Sequence, residues 1–427
     1  MPLRSHPLRS RIVSEMHLRR MPPLHANSQM AQVVRLVDPE TRAAEAAFVA
    51  AIPWLAPGAA PAEDRHVSGR SPAGAEFLWE RHSEASTMTL ILPDRGPDPF
   101  AAQPGDEEVL RWLVEAPGEV VRAIRIGVVA DEARAETVAT ETDFSEADLV
   151  SCRIGRARIW SDFRVHADGF GRLLVSGGGM HPADLGRLVQ RLQELGNYRN
   201  LALLGLPIAQ AEVANLAGLE AELGRISQQL AAGEAGQRLL DELCAVSART
   251  AAVADRTAFR MSATAAYAQI VHDRLAGLDC AAIDGFQALH DFVERRLLPA
   301  TRTCASFTAR MESLALRIER ATALLRTGVE IAMQAQNAEV LRSMERTGAR
   351  QLRLQRLVEG LSVVAVSYYA LGVVGYAMKG LAHGLRFEPD LAQALAVAPV
   401  LALVWLYLRR RVHRIEADET SGPRAKA

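Results

Sequence analysis

Hydrophobic and polar positions along the chain fall into three regimes. From Met1 to about Pro207, short apolar runs alternate with polar breaks containing proline and glycine. FLWERHSEASTMTLIL (Phe77 to Leu92) and VVRAIRIGVVA (Val120 to Ala130) are rich in β-branched and apolar residues and predict strands. ARIWSDFRV, then ADGFG, then RLLV, from Ala157 to Val175, predicts a hairpin turning at Asp168-Gly169. Pro39 to Ala51 and Glu107 to Glu115 have helical spacing, and Pro53 to Pro72 reads as a surface loop. Strand and helix signals mixed in this way predict an α+β cytosolic domain over residues 1–207.

Strand signal fades after Pro207, and Ala, Leu, Glu, Gln and Arg recur at helical steps from Ala211 to Arg356. Residues 208–356 are therefore expected to form a long helical stalk, coiled-coil-like, with breaks at Pro299 and around Gly277 and Gly285. Leu314, Ile318, Ala321, Leu325, Val329 and Ala332, then Leu341, Met344 and Leu352, keep three- and four-residue spacing. No proline interrupts the path into the next apolar run, so one helix is expected from about Ala305 to Met378, on the order of 110 Å long. Its apolar stripe needs cover, from Ala211 to Leu298 or from further copies of the chain, which makes a homo-oligomer the expected state.

The third regime is apolar. GLSVVAVSYYALGVVGYAM (Gly360 to Met378) and LAQALAVAPVLALVWLYL (Leu391 to Leu408) carry no charge. Each approaches the roughly 20 residues a helix needs to cross a bilayer. They predict a C-terminal two-helix transmembrane hairpin over 357–409, with spans at about 360–379 and 391–408, followed by a basic then polar tail over 410–427. Arg346, Arg350, Arg353 and Arg356 precede the first run, and Arg409, Arg410, Arg411 and Arg414 follow the second. The connecting loop offsets Lys379 and Arg386 with Glu388 and Asp390. The positive-inside rule then puts the N-terminus and C-terminus in the cytoplasm of a bacterial inner membrane.

Composition adds exclusions. Among 427 residues, 49 basic side chains face 50 acidic ones, a net charge of −1, so no field draws in nucleic acid. Only Lys379 and Lys426 are lysines, which argues against Schiff-base and phosphate-loop chemistry. Cys152, Cys244, Cys280 and Cys304 are too widely spaced for a CxxC pair and are expected to be buried free thiols in a reducing compartment. The arginine-rich first twenty residues have no apolar core of signal-peptide length.

Few residues invite chemistry. In Trp160 to Gly169, strand alternation would place Asp162, Arg164 and His166 on one face, where Asp162 and His166 are candidate metal ligands or members of a charge-paired strand. Glu80 and His82 would share a face at the start of another strand. Gly177-Gly178-Gly179-Met180-His181-Pro182 lies before a helix but fits neither a dinucleotide nor a Walker spacing. No catalytic motif and no cofactor site is recognised, so the chain is expected to be non-enzymatic. In the first span, Ser362, Ser367, Gly372 and Gly375 are small residues suited to close helix packing or to a pore wall.

HPLRSRIVSEMHLRR, WERHSEAST, WSDFRVHADGFGRLLV, GRLVQRLQELGNYRNLALLGLP and QLRLQRLVEGLSVVAVSYYALGVVGYAMKGL together resemble a bacterial membrane-protein family, domain of unknown function 3422. That resemblance implies a cytoplasmic domain with a C-terminal membrane anchor and assigns no catalytic residue. In plan, the chain is also similar to the CorA-type cation channels, whose first span ends in Gly-Met-Asn; here the stretch reads Gly375-Tyr376-Ala377-Met378-Lys379. The likeness implies a divalent-cation channel or transporter, with the cation as transported ion and Ser367, Gly372, Gly375, Tyr376 and Met378 lining the pore or packing helices. The alternative is a membrane-anchored scaffold or sensor that binds a cytoplasmic protein partner. In either case the lipid bilayer is a partner.

Overall fold

SQMAQVVRL is apolar or small and polar along its whole length. It forms β1 (Ser28–Leu36), whose residues are buried up to the last, in the interior of a nine-stranded sheet. The computed structural model describes residues 5–15, 21–55, 64–234, 236–382 and 389–419. Residues 56–63 of the expected Pro53 to Pro72 loop, the segment 383–388 between the two apolar runs, the end of the tail and Arg4, Arg19 and Arg20 lie outside the described residues. His66–Arg70, expected as part of that loop, is instead a strand, because Val67 is buried and the segment pairs antiparallel with Glu76–Arg81.

Ahead of β1 comes α1 (Arg9–Glu15). After it the chain runs through α2 (Thr41–Ala50), β2 (His66–Arg70), β3 (Glu76–Arg81), β4 (Ala85–Leu92), α3 (Asp106–Val114), β5 (Glu119–Val129) and α4 (Glu132–Glu141). Next come β6 (Val150–Ile154), β7 (Ala157–Ser161), β8 (Gly171–Ser176), α5 (Pro182–Leu203), α6 (Gly205–Ala231) and α7 (Gln237–Ala276). The last elements are β9 (Cys280–Ala282), α8 (Leu289–Ala382) and α9 (Pro389–Glu419). The fold class is thus mixed α/β with a large sheet and a long C-terminal helix. The chain divides into two units, Met1–Ala323 and Leu324–Ala427.

The sheet order is β2-β3-β4-β1-β5-β8-β7-β6-β9, antiparallel except for the parallel pair β5 and β8. Both faces are covered, which is why its central strands read as nearly continuous apolar runs. On one face Met30, Ile124, Ile126 and Val128 pack against Leu185, Leu188, Leu192 and Leu195 of α5 and Val271 of α7. On the other, Ala31, Val33, Phe77 and Leu90 pack with Val49 of α2 and with Val109 and Leu113 of α3. Alternate residues of β1 therefore enter two different cores.

The loop Gly177 to Pro182 serves as a helix entry. Gly178 and Gly179 adopt φ of +54° and +69°, and a Cβ at Gly178 would overlap the Arg156 carbonyl. His181 caps α5 by accepting the Ala183 N–H at Nδ1, 3.3 Å away, and Pro182 occupies the first turn.

Further expectations change along the helices and at the cysteines. Pro299 does not break the chain: it lies inside α8, which begins at Leu289 rather than near Ala305. Phe292, Val293, Leu297 and Ala300 are buried on both sides of the proline, and that packing outweighs the lost backbone donor. The break near Gly277 and Gly285 holds β9, a three-residue strand pairing with β6, too short to leave a periodic signal. Cys152 and Cys304 are buried, but Cys280 is half-buried and Cys244 is exposed on the outer side of α7.

Two helices among the described residues, Pro182–Ala231 and Leu289–Gly380, are long and apolar enough to cross a membrane. They differ in cover: 28% of the apolar window is buried in the first and 6% in the second, whose mean hydropathy is 1.8. The second expected run coincides with a shorter apolar helix, Ala394–Tyr407.

Candidate functional site

Where β3, β4 and β1 pass under α5 and α7, the inward positions turn polar. Gln32 of β1, Thr87 and Thr89 of β4 and Glu80 of β3 face Gln190, Gln193, Glu194 and Asn197 of α5 across a cavity of about 540 Å³. The Gln32 Nε2 donates to Thr89 Oγ1 at 2.9 Å, and Arg122 Nη1 donates to Asn197 Oδ1 at 2.6 Å and to Gln32 Oε1 at 3.4 Å. Arg274 pairs with Glu194 at 2.9 Å and so ties α7 to α5 at the rim. The volume and the polar lining suit a small polar ligand.

WERHSEAST wraps one end of this cavity. His82 lies just past β3 rather than within a strand, and Glu80 and His82 both line the wall. Glu84 leaves the cavity and takes Arg260 of α7 in a bidentate pair at 3.0 and 2.6 Å. Tyr267, stacked on Tyr198 with ring centroids 5.7 Å apart, stands beside Ser83 and Glu84. Burial pushes its hydroxyl up to about 12, so it stays a neutral donor.

WSDFRVHADGF is organised differently from the expected strand face. β7 stops at Ser161 because Asp162, 2% exposed, turns its carboxylate onto the backbone N–H groups of Ser145 and Arg164, both at 3.1 Å. Phe163 then takes φ of +54°, which ends strand alternation. Asp162 and His166 are nevertheless brought together, with His166 Nε2 at 3.3 Å from Asp162 Oδ1. Arg164 departs and pairs with Asp148 at 2.6 Å. Among the described residues no group of three His, Cys, Asp or Glu side chains could hold a metal ion. The pair is built as a loop clasp. Asp162→Ala is expected to cost about 1–2 kcal/mol, because two partly buried N–H groups lose their acceptor, while Asp162→Asn keeps the acceptor and costs less than half as much. Thermal melts of the two variants check this ordering.

Phe163 carries no signal in the residue pattern that marks its role. Its ring stacks on Phe292 of α8 at 4.4 Å and 20°; Arg199 of α5 lies 4.7 Å from Phe163, and Arg296 lies 4.0 Å from Phe292. The order is cation, ring, ring, cation. This stack joins the β7–β8 loop, α5 and α8, and it absorbs Arg199 from GNYRN. The neighbouring Gly196 is also used: a Cβ there would sit 2.5 Å from Arg122 Nη2. Burial, then the charge of Arg199, lowers Arg122 to about 9; burial, then Arg296, lowers Arg199 to about 10.

In the second unit, the five residues named for the first apolar run separate by face. Ser367 and Gly375 are buried, Met378 is half-buried, and Gly372 and Tyr376 are exposed. Among the described residues the Ser367 hydroxyl has no hydrogen-bond partner.

The stretches WERHSEAST, WSDFRVHADGF and GNYRN thus converge on one body of structure, the cavity and the stack beneath α5. No curated protein and no solved structure matches the chain. A family-wide sequence profile described as a protein of unknown function (DUF3422) does match, from residue 4 to residue 415, and the chain belongs to that family.

Proposed function

We propose that this chain is a bacterial inner-membrane protein without catalytic activity, a sensor or scaffold whose mixed α/β unit binds a cytoplasmic partner and is anchored by a hairpin of α8 and α9. One observation carries the reading: the apolar window of α8, at mean hydropathy 1.8, has only 6% of its residues covered. So long an uncovered apolar helix needs a non-aqueous neighbour. Supporting it, Ala396, Val400 and Val404 of α9 are less exposed than the residues around them, as are Ser367, Val374 and Gly375 of α8, so each helix carries one face suited to packing on a neighbour. Leu341, Met344 and Leu352 are exposed and offer a stripe for further copies, so the anchored form is a homo-oligomer.

Fractionation tests the anchor. The full chain is expected in the membrane pellet after alkaline carbonate extraction, and Val366→Arg with Val373→Arg is expected to shift at least half of it to the supernatant. Each arginine at mid-bilayer depth costs about 2.5–3.5 kcal/mol by insertion scales. Wild-type chain in the supernatant would sink the anchor.

Divalent-cation conduction by an oligomer is the second reading, favoured by the open face that carries Gly372 and Tyr376. It requires cation flux in proteoliposomes above that of empty vesicles. Lys379 at the end of the run opposes it by repelling a divalent ion.

A further inference from the structure

A second cavity, of about 20 Å³, is lined on its polar side by Arg122 of β5, Arg199 of α5 and Ser161, and otherwise by apolar residues, among them Ile124, Phe163 and Leu195. The site is built. Gly196 leaves room for Arg122, Asn197 holds Arg122 Nη1 at 2.6 Å, Asn200 accepts from Arg199 Nε and Nη2 at 3.2 and 3.1 Å, and the Phe163 ring backs Arg199. Ser161 Oγ is committed to the Arg172 carbonyl at 2.7 Å.

What the site lacks is negative charge. Amide oxygens hold both arginines, and among the described residues no carboxylate lies within ion-pair distance of either; Asp148 nearby is taken by Arg164 at 2.6 Å and Arg296 at 3.8 Å. Two partly buried cations facing one cavity repel each other, and partly desolvated charge calls for a counter-charge. The volume allows one water-sized occupant and excludes a phosphate or a carboxylic acid.

We propose that a halide-sized monovalent anion, chloride in the cell, occupies this cavity and bridges Arg122 and Arg199. Bound there, it fastens α5 to the sheet at the point where the Phe163 stack reaches α8. It is a structural anion site, independent of how the chain meets a membrane.

The test uses the full chain in detergent. Thermal melts are taken at one ionic strength in sodium chloride, sodium bromide and sodium gluconate, the last being too large for the cavity. The midpoint is expected to rise in both halides by at least about 2 °C over gluconate, as a ligand binding only the folded state requires. Arg122→Met and Arg199→Met are expected to abolish the difference, while Arg310→Met, which removes a pair with Glu220 between α8 and α6, keeps it. In bromide-grown crystals an anomalous peak between Arg122 and Arg199 supports the site whether or not the variants fold. Equal midpoints in the three salts, or a bromide peak only at other positions, would overturn the proposal and leave water as the occupant.

Discussion

Glu45→Ala is expected to lower stability by about 3–5 kcal/mol, enough to bring a chain of ordinary stability close to unfolding. Glu45 sits on α2 at 1% exposure, where its carboxylate accepts from Trp79 Nε1 at 3.1 Å and from the Ser86 hydroxyl. The facing charge is Arg35 of β1, at 2% exposure, which donates through Nη2 to the carbonyls of Leu113 at 2.7 Å and Val114 at 3.0 Å. Burial pulls the Arg35 guanidinium below its ordinary range while the Glu45 charge holds it up. Removing Glu45 leaves a buried cation without its opposing charge, and strips Trp79 and Ser86 of an acceptor. Two companions separate these causes. Glu45→Gln keeps an acceptor and loses the charge, so it falls between wild type and alanine. Glu45→Ala with Arg35→Met removes both charges and is expected to recover at least half of the loss, because the uncompensated cation is gone. Thermal midpoints of the three proteins decide it; an alanine variant melting within about 1 °C of wild type sinks the argument.

None of this network could be read from residue patterns. Arg35 and Glu45 look like ordinary surface charges in SQMAQVVRL and TRAAEAAFVA, and only the two-sided cover of β1 turns them inward. What periodicity did reveal was the scaffold: the apolar runs that became β4 and β5, the helices α2 and α3, and the long α8. The β7–β8 pairing was visible too, with Trp160 opposite Leu174. The strand ends earlier than alternation alone implies, because alternation carries no trace of a carboxylate that bonds the backbone two residues on, as Asp162 does to Arg164. For the cavity a usable signal existed. Gln190, Gln193, Glu194 and Asn197 run at helical spacing beside the apolar stripe Leu185, Leu188, Leu192 and Leu195. A polar stripe flanking an apolar one is usually a solvated face, and only the opposing Gln32, Thr87 and Thr89 make it a wall. The arginine pair was hidden for a plainer reason, since Arg122 and Arg199 are 77 positions apart in an arginine-rich chain.

Phe163→Ala is expected to cost about 3–4 kcal/mol, in the range for loss of a packed aromatic ring. The ring lies between Phe292 and Arg199, so its removal opens a gap in a stack that joins three elements and leaves Arg199 without its aromatic partner and Phe292 without its stacked ring. The backbone supplies a sharper test. With φ at +54°, Phe163 is in the left-handed region, where a side chain costs about 1 kcal/mol that glycine does not incur. Phe163→Gly is therefore expected to melt at or above Phe163→Ala, the reverse of the order found at extended or helical positions. Phe163→Leu, which keeps most of the volume and loses the π-face, is expected to stay within about 2 kcal/mol of wild type. If glycine instead melts clearly below alanine, the left-handed backbone is not what sets this position. If alanine costs nothing, the stack does not hold α5 and α8 to the loop. The side chain at 163 is bound to a conformation that disfavours side chains, and the ring contacts on both sides of it are the physical reason an aromatic residue stands where glycine would fit more easily.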